Sequence, residues 1–165
     1  MTRFTQKYTL VQFFDPIEEG CEFASSNWSL HSTIIDTFAI DWVADEMAAN
    51  LADVLASYSV VNSEAKDDQY FGEDGQVCVT LLDRTDSLVN LHRNVLAVLE
   101  SGGLVLNDPQ FAYDGFLPHA TVQKSGRLNK GDAIQLAALS IVDMFPDEDP
   151  YKRKVLKTIK LRQIH

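Results

Sequence analysis

Two stretches decide the reading of this chain: Trp28–Ile35, WSLHSTII, and Phe116–Gln123, FLPHATVQ. Each is rich in β-branched and aromatic residues and is bounded by polar or turn-forming segments, so each predicts a β-strand. Each also carries a histidine followed two positions later by a threonine. Side chains on a strand alternate between faces. His31 and Thr33 therefore share one face, and Ser32 and Ile34 the other. In the second stretch His119 and Thr121 share a face, while Ala120 and Val122 point toward the interior. Each strand presents an imidazole beside a hydroxyl. By the same parity Trp28 falls opposite His31 and is assigned to the core.

Working outward, Tyr8–Phe14 reads as a strand ended by Asp15–Pro16, and Glu18–Asn27 as an acidic loop. Asp36–Ile40 leads toward a helix with Asp41 as its cap, and its apolar face recurs at Val43, Met47, Leu51, Val54, Leu55 and Tyr58. Tyr58–Asn62 and Gln76–Leu82 predict strands, with Ser63–Gln69 a turn or exposed edge. Thr85 or Asp86 caps a second helix with a stripe of Leu88, Leu91, Val95 and Leu99, closed by Gly102–Gly103. A short strand at Leu104–Leu106, a turn at Asn107–Pro109 and a polar loop at Ser125–Gly131 follow. Ala133–Phe145 is open between helix and strand, Asp147–Pro150 is a turn, and Lys154–Leu161 alternates as a closing strand. Each half thus offers strands, one amphipathic helix and one His-x-Thr strand, a coarse duplication.

The 165 residues suit one domain, 1–165, of two intertwined lobes. Apolar residues make up 45%, enough for a sizeable core. No apolar run is long enough to cross a membrane, and MTRFTQKYTL lacks the apolar segment of a signal peptide. The expectation is a cytoplasmic protein with no membrane association, acting as a monomer. Cys21 and Cys78 read as two reduced thiols, and no His–carboxylate cluster has metal-ligand spacing. The net charge of −10 argues against an extended nucleic-acid-binding surface but leaves room for a small phosphodiester or an RNA terminus in a local groove.

Imidazole and threonine in pairs suit phosphodiester chemistry. Imidazole exchanges protons near neutral pH, and a threonine hydroxyl donates to a phosphate oxygen. Two such strands facing each other place one imidazole on each side of a phosphorus, one to activate a nucleophile and one to protonate the leaving oxygen. Among the remaining candidates, His92 reads as a boundary or solvent histidine beside the helical stripe, and His165 as a terminal residue. Asp36, Asp41, Asp45 and Glu46 read as capping residues and a solvated face. Lys152–Arg153–Lys154, the densest basic cluster, reads as a solvated turn, with a phosphate contact as the sharper alternative.

The paired motifs resemble those of the 2H phosphoesterase superfamily, which includes 2′-5′ RNA ligase-like proteins and cyclic phosphodiesterases and is marked by two His-hydrophobic-Ser/Thr-hydrophobic runs. Here they read His31–Ser32–Thr33–Ile34 and His119–Ala120–Thr121–Val122. Phe116–Leu117–Pro118 resembles the family's aromatic-x-Pro lead-in to the second motif. Ser32 departs from the pattern, standing where a hydrophobic residue is usual. The resemblance implies an α/β (α+β) fold of two pseudo-symmetric lobes, with antiparallel sheets around a central groove and helices outside. It implies catalytic roles for His31, Thr33, His119 and Thr121, with neither metal nor cofactor. Relatives carry a basic residue after the second motif, where Lys124 falls, although parity turns it away from His119. Tyr113 and Phe116 are candidates for stacking a base. The implied activity is opening of a 2′,3′-cyclic phosphate on a nucleotide or RNA end. A 2′-5′ RNA ligase, a cyclic oligonucleotide hydrolase and a non-catalytic nucleotide- or RNA-binding module are the alternatives. Which histidine is the acid and which the base is open at this level.

Overall fold

The computed structural model describes residues 7–161; His165 and the first six residues lie outside them. Ten strands and two helices follow one another: β1 (Tyr8–Phe13), β2 (Glu22–Ala24), β3 (His31–Ala39), α1 (Ala44–Leu55), β4 (Val61–Phe71), β5 (Val77–Leu82), α2 (Asp86–Ser101), β6 (Val105–Leu106), β7 (His119–Thr121), β8 (Ala133–Leu136), β9 (Ala138–Asp143) and β10 (Lys152–Lys160). The strands pair in the order β2-β10-β9-β1-β3-β7-β5-β4-β8, with β6 added to β3. Every pairing is antiparallel. This is the expected α+β fold of two lobes, one ending at β3 and the other beginning at β7. The two histidine strands are neighbours at the seam.

The duplication lies in space more than along the chain. After β7 and β8 the chain returns to the first lobe as β9 and β10, so the first lobe is built from both ends of the chain. The apolar stripes fill the main core. Met47, Leu51 and Leu55 of α1 and Leu88, Leu91, Val95 and Leu99 of α2 pack with Leu10, Ile34 and Phe38 of the sheet. Burying this many large side chains is the dominant stabilising term. Helix α1 packs on β10 and α2, and α2 on β3 and β4.

Local signals place the helix ends unevenly. Thr85 caps α2, its hydroxyl accepting from the Leu88 amide, and Gly103 takes the positive φ that ends it. Helix α1 begins later than Asp41 predicts. Val43 occupies the cap position without a side-chain bond, and Asp45 and Glu46 favour the positive end of the helix dipole instead.

The other differences come from non-local pairing. Of the segment Asp36–Ile40, all but Ile40 continues β3, because Phe38 pairs with Tyr8 and with Leu106. Ser63–Gln69 is the middle of β4, held on one stretch by β8 and on the next by β5. Glu22–Ala24 within the predicted acidic loop is a strand because it lies along β10. Ala133–Phe145 resolves into β8 and β9. In the second motif only His119–Thr121 is strand.

Candidate active site

The seam between the lobes is one residue pair wide: Ser32 of β3 faces Ala120 of β7. In antiparallel register this sets His31 opposite Thr121 and Thr33 opposite His119. The four side chains share one face as a rectangle, with the histidines on a diagonal. Cβ atoms directly across strands lie about 5 Å apart and diagonal neighbours about 7–8 Å apart, so two imidazoles so placed flank a group the size of a phosphate. Their mutual influence is visible in the protonation of His31, which a positive charge on His119 disfavours.

Both histidines are held the same way. His31 Nδ1 lies 2.8 Å from the Ser29 carbonyl and His119 Nδ1 lies 2.7 Å from the Leu117 carbonyl, in each case two residues back along the chain. A carbonyl only accepts, so each Nδ1 carries hydrogen and donates. Each neutral ring then has its lone pair on Nε2, the atom left to exchange protons.

Their surroundings differ. His31 is enclosed by aromatic rings, with Trp28 at 4.5 Å and Phe13 at 5.9 Å between ring centroids. Burial lowers its pKa from the ordinary imidazole value, opposed by the bond to Ser29 and reinforced by His119. Trp28, assigned by parity to the core and away from His31, does pack partly buried on an apolar cluster with Val11 and Phe13, but it also forms this wall against His31. It precedes the first residue of β3, where alternation does not apply, and it packs on Phe13 and Phe23 as well as on His31. His119 sits in a more exposed setting, with the Phe71 ring edge-on at 5.2 Å.

A cavity of about 160 Å³ opens beside Thr33 and His119. Phe71, Phe111 and Leu117 wall it, Phe116 and Ile34 close it inside, and Asp36 is its one charged residue. Sequence parity turns Ile34 away from Thr33, and composition makes Asp36 a cap or surface residue. Ile34 keeps the inward face that parity gives it, 1% exposed in the main core, while two irregularities in β3 change the reading of Asp36. One residue of β1 spans two of β3 between Val11–Thr33 and Leu10–Ile35, and another register shift lies between Leu10 and Tyr8. Such bulges re-aim side chains. Asp36 then lines the cavity with Thr33, and Ile34 meets it from the core side.

His92 is not a boundary residue. It is 1% exposed, its Nδ1 donates to the Ile34 carbonyl at 2.8 Å, and its Nε2 accepts from the Tyr113 amide at 3.0 Å. Its ring lies flat on Phe116, 4.1 Å away and 5° from parallel. Both nitrogens are thus committed with the ring neutral, and burial lowers its pKa. His92 ties the first motif strand to the lead-in of the second. Arg84 completes the tie, its Nε donating to the Phe116 carbonyl at 2.9 Å. Gly115 is required in this loop, since a Cβ there would collide with the Gln110 carbonyl.

Of the sequence candidates, the structure brings His31, Thr33, His119 and Thr121 together and puts Phe116 on the inner wall of the cavity. Tyr113 does not line the cavity; it takes a positive φ of 57° and serves through its backbone. Lys124 is exposed in the turn closed by Gln123 and Gly126, beyond the end of β7. Lys152–Arg153–Lys154 begins β10 instead of forming a turn. Arg153 gives its hydrogen bonds to the Met144, Pro150 and Lys152 carbonyls, 6.0 Å beneath the Trp28 ring. Trp28, Phe71, Phe111 and Asp36 are the residues that sequence reasoning passed over. Phe71 lay just past a segment read as a turn, and no local pattern marked it. Among the described residues no group of three His, Cys, Asp or Glu is arranged to hold a metal ion, and no helix is long and apolar enough to cross a membrane.

No protein-family model matches the sequence, and no curated protein matches it. Solved structures do match its fold over nearly the whole chain. E. coli LigT, solved with 3′-AMP, is 15% identical, with 96% of this chain and 99% of that one aligned and a TM-score of 0.55. A Thermus thermophilus protein is 16% identical over 96% of this chain and 100% of its own, with a TM-score of 0.58. A structure described as a phosphoesterase is 14% identical over 96% and 99%, with a TM-score of 0.54. The chain has the LigT-like phosphoesterase fold.

Proposed function

We propose that this chain is a 2H-type phosphodiesterase that opens the 2′,3′-cyclic phosphate of a nucleotide or RNA end, with His31 and His119 as its acid–base pair. The observation that carries this reading is the matched pair of motifs at the seam: two imidazoles, each anchored through Nδ1 with Nε2 free, on a diagonal completed by two hydroxyls. E. coli LigT, which shares the fold, has been solved with 3′-AMP, with ATP and with phosphate, and a nucleotide phosphate is the ligand class carried over here.

The enclosure of His31 favours its neutral form, which suits the base. Nε2 of His31 takes a proton from water as the water oxygen bonds to phosphorus. The bond from phosphorus to one ribose oxygen breaks, and His119, entering as imidazolium, gives its Nε2 proton to that oxygen. The Thr33 and Thr121 hydroxyls donate to the non-bridging oxygens, where charge accumulates. Solvent then returns the proton to His119 and removes one from His31. The two imidazoles supply both proton transfers.

The test is hydrolysis of 2′,3′-cyclic nucleotides and of an oligonucleotide bearing a terminal cyclic phosphate, in the presence of chelator. Turnover is expected, and His31→Ala and His119→Ala are each expected to lower kcat/KM by about 10²–10⁴-fold. Turnover that survives both substitutions, or that chelator abolishes, overturns the mechanism.

A further inference from the structure

We infer that Asp36 makes the cavity beside Thr33 and His119 a subsite for a guanine base, so that the preferred substrate carries guanine next to the reacting phosphate. The inference rests on the phosphodiesterase reading for where the phosphate lies, and it adds which base accompanies it.

The walls of the cavity are of two kinds. Phe71, Phe111 and Phe116 supply aromatic surface, and Phe111 and Leu117 stay 39% and 36% exposed at its edge. Large apolar groups left open beside a polar catalytic face mark a place for a planar ring, because every base has a face that stacks on aromatic side chains. The cavity has room for a ring system beside the catalytic face. With a phosphate held at the two histidines, the part of the substrate that fits this adjoining space is the base.

Asp36 sets the polarity of that space. Among the described residues its carboxylate makes neither a hydrogen bond nor an ion pair, which leaves both oxygens available to a ligand. It lines the cavity from β3, beyond the register shift that follows Thr33. An ionised carboxylate only accepts hydrogen bonds, so it selects a ligand edge made of donors. Guanine presents N1–H and N2–H side by side, matching the two oxygens. Adenine and cytosine offer one amino group beside a ring nitrogen acceptor, which the second oxygen repels. Uracil offers one N–H between two carbonyls, both repelled. The expected order is guanine first and uracil last. A carboxylate here also disfavours a second phosphate in the cavity, so the base and phosphate ends of the substrate are kept apart.

The experiment measures kcat/KM for the 2′,3′-cyclic phosphates of guanosine, adenosine, cytidine and uridine on the intact protein and on Asp36→Asn. Binding of 3′-GMP and 3′-UMP is measured alongside by calorimetry. The intact protein is expected to favour guanosine over uridine by about tenfold to a hundredfold, the value of a two-point base contact. Asp36→Asn is expected to collapse that ratio, lowering guanosine turnover and raising uridine turnover. Both substrates are read on the same preparation, so a misfolded fraction cancels from the ratio. Equal turnover of all four bases, or a guanosine preference unchanged in Asp36→Asn, overturns the subsite while leaving the phosphodiesterase reading intact. Selective binding of 3′-GMP that Asp36→Asn abolishes, with no turnover of any base, upholds the subsite and overturns the hydrolytic reading. Neither turnover nor selective binding overturns both.

Discussion

The strand that carries His31 and the strand that carries His119 hold the same pair of side chains in different settings. β3 is nine residues long, pairs with β1, β6 and β7, and has its histidine walled by Trp28 and Phe13. β7 is three residues long, and its histidine stands in a more exposed place with the edge of the Phe71 ring against it. The local anchoring, Nδ1 to a carbonyl two residues back, is identical. A repeated motif therefore fixes ring orientation and tautomer, while the packing around His31 adds a burial that lowers its pKa. In the proposed mechanism the walled-in imidazole serves as the base and the more open one as the acid.

The comparison breaks most visibly at the hydroxyls. Thr33→Val and Thr121→Val keep the β-branched shape and remove one donor each. Each is expected to lower kcat/KM by about 10²-fold, the loss typical of one donor to a developing oxyanion. Equal losses sharpen the picture of a phosphate shared by two strands; loss at one strand only would show that the phosphate rests there alone.

A smaller effect is expected from opening the wall of His31. Burial holds its pKa below the ordinary value, so Trp28→Leu, which lets in water, raises it. The base is then protonated at higher pH, and the acid limb of the kcat/KM profile moves up, with activity lost at pH 6 and kept at pH 8. A limb that stays in place, or moves down, would assign the limb to a group other than His31.

The smallest effect concerns the residues that face away from the site. Ser32 is 2% exposed and its hydroxyl finds no partner among the described residues, while Ala120 opposite it is equally buried and has no such group. An unpaired buried hydroxyl costs about 1–3 kcal/mol. Ser32→Ala, which makes the first motif read like the second, is expected to stabilise the protein by about 1 kcal/mol. Thermal unfolding checks this as a rise in Tm of about 2–4 °C. A lowered Tm would mean that the serine holds the seam together.

What was legible in the sequence was whatever a few neighbouring residues decide. The strands around His31 and His119 follow from composition and alternation, which also put His31 with Thr33 and His119 with Thr121. The stripes of α1 and α2 follow from the helical period, and the ends of α2 from Thr85 and the Gly102–Gly103 pair. The family resemblance carried by the two motifs supplied the two-lobed architecture. The misreadings lie where distant partners or the true end of an element decide. Ser63–Gln69 is polar and reads as a turn, yet it forms β4 because β5 and β8 complete its hydrogen bonds. Trp28 lies outside the strand whose parity was applied to it.

By itself, then, the sequence determined the chemical content of the site: two imidazoles, two hydroxyls and the strands that pair them, since these depend on residue type and a period of two. The tertiary structure alone decided the rest. The Ser32–Ala120 register aligns the motifs, the bulges of β3 bring Asp36 to the cavity, and the β4–β5 hairpin hangs Phe71 beside His119. Register and bulges depend on partners distant in the chain and on how bulky side chains fill the space between lobes, and no local pattern encodes them.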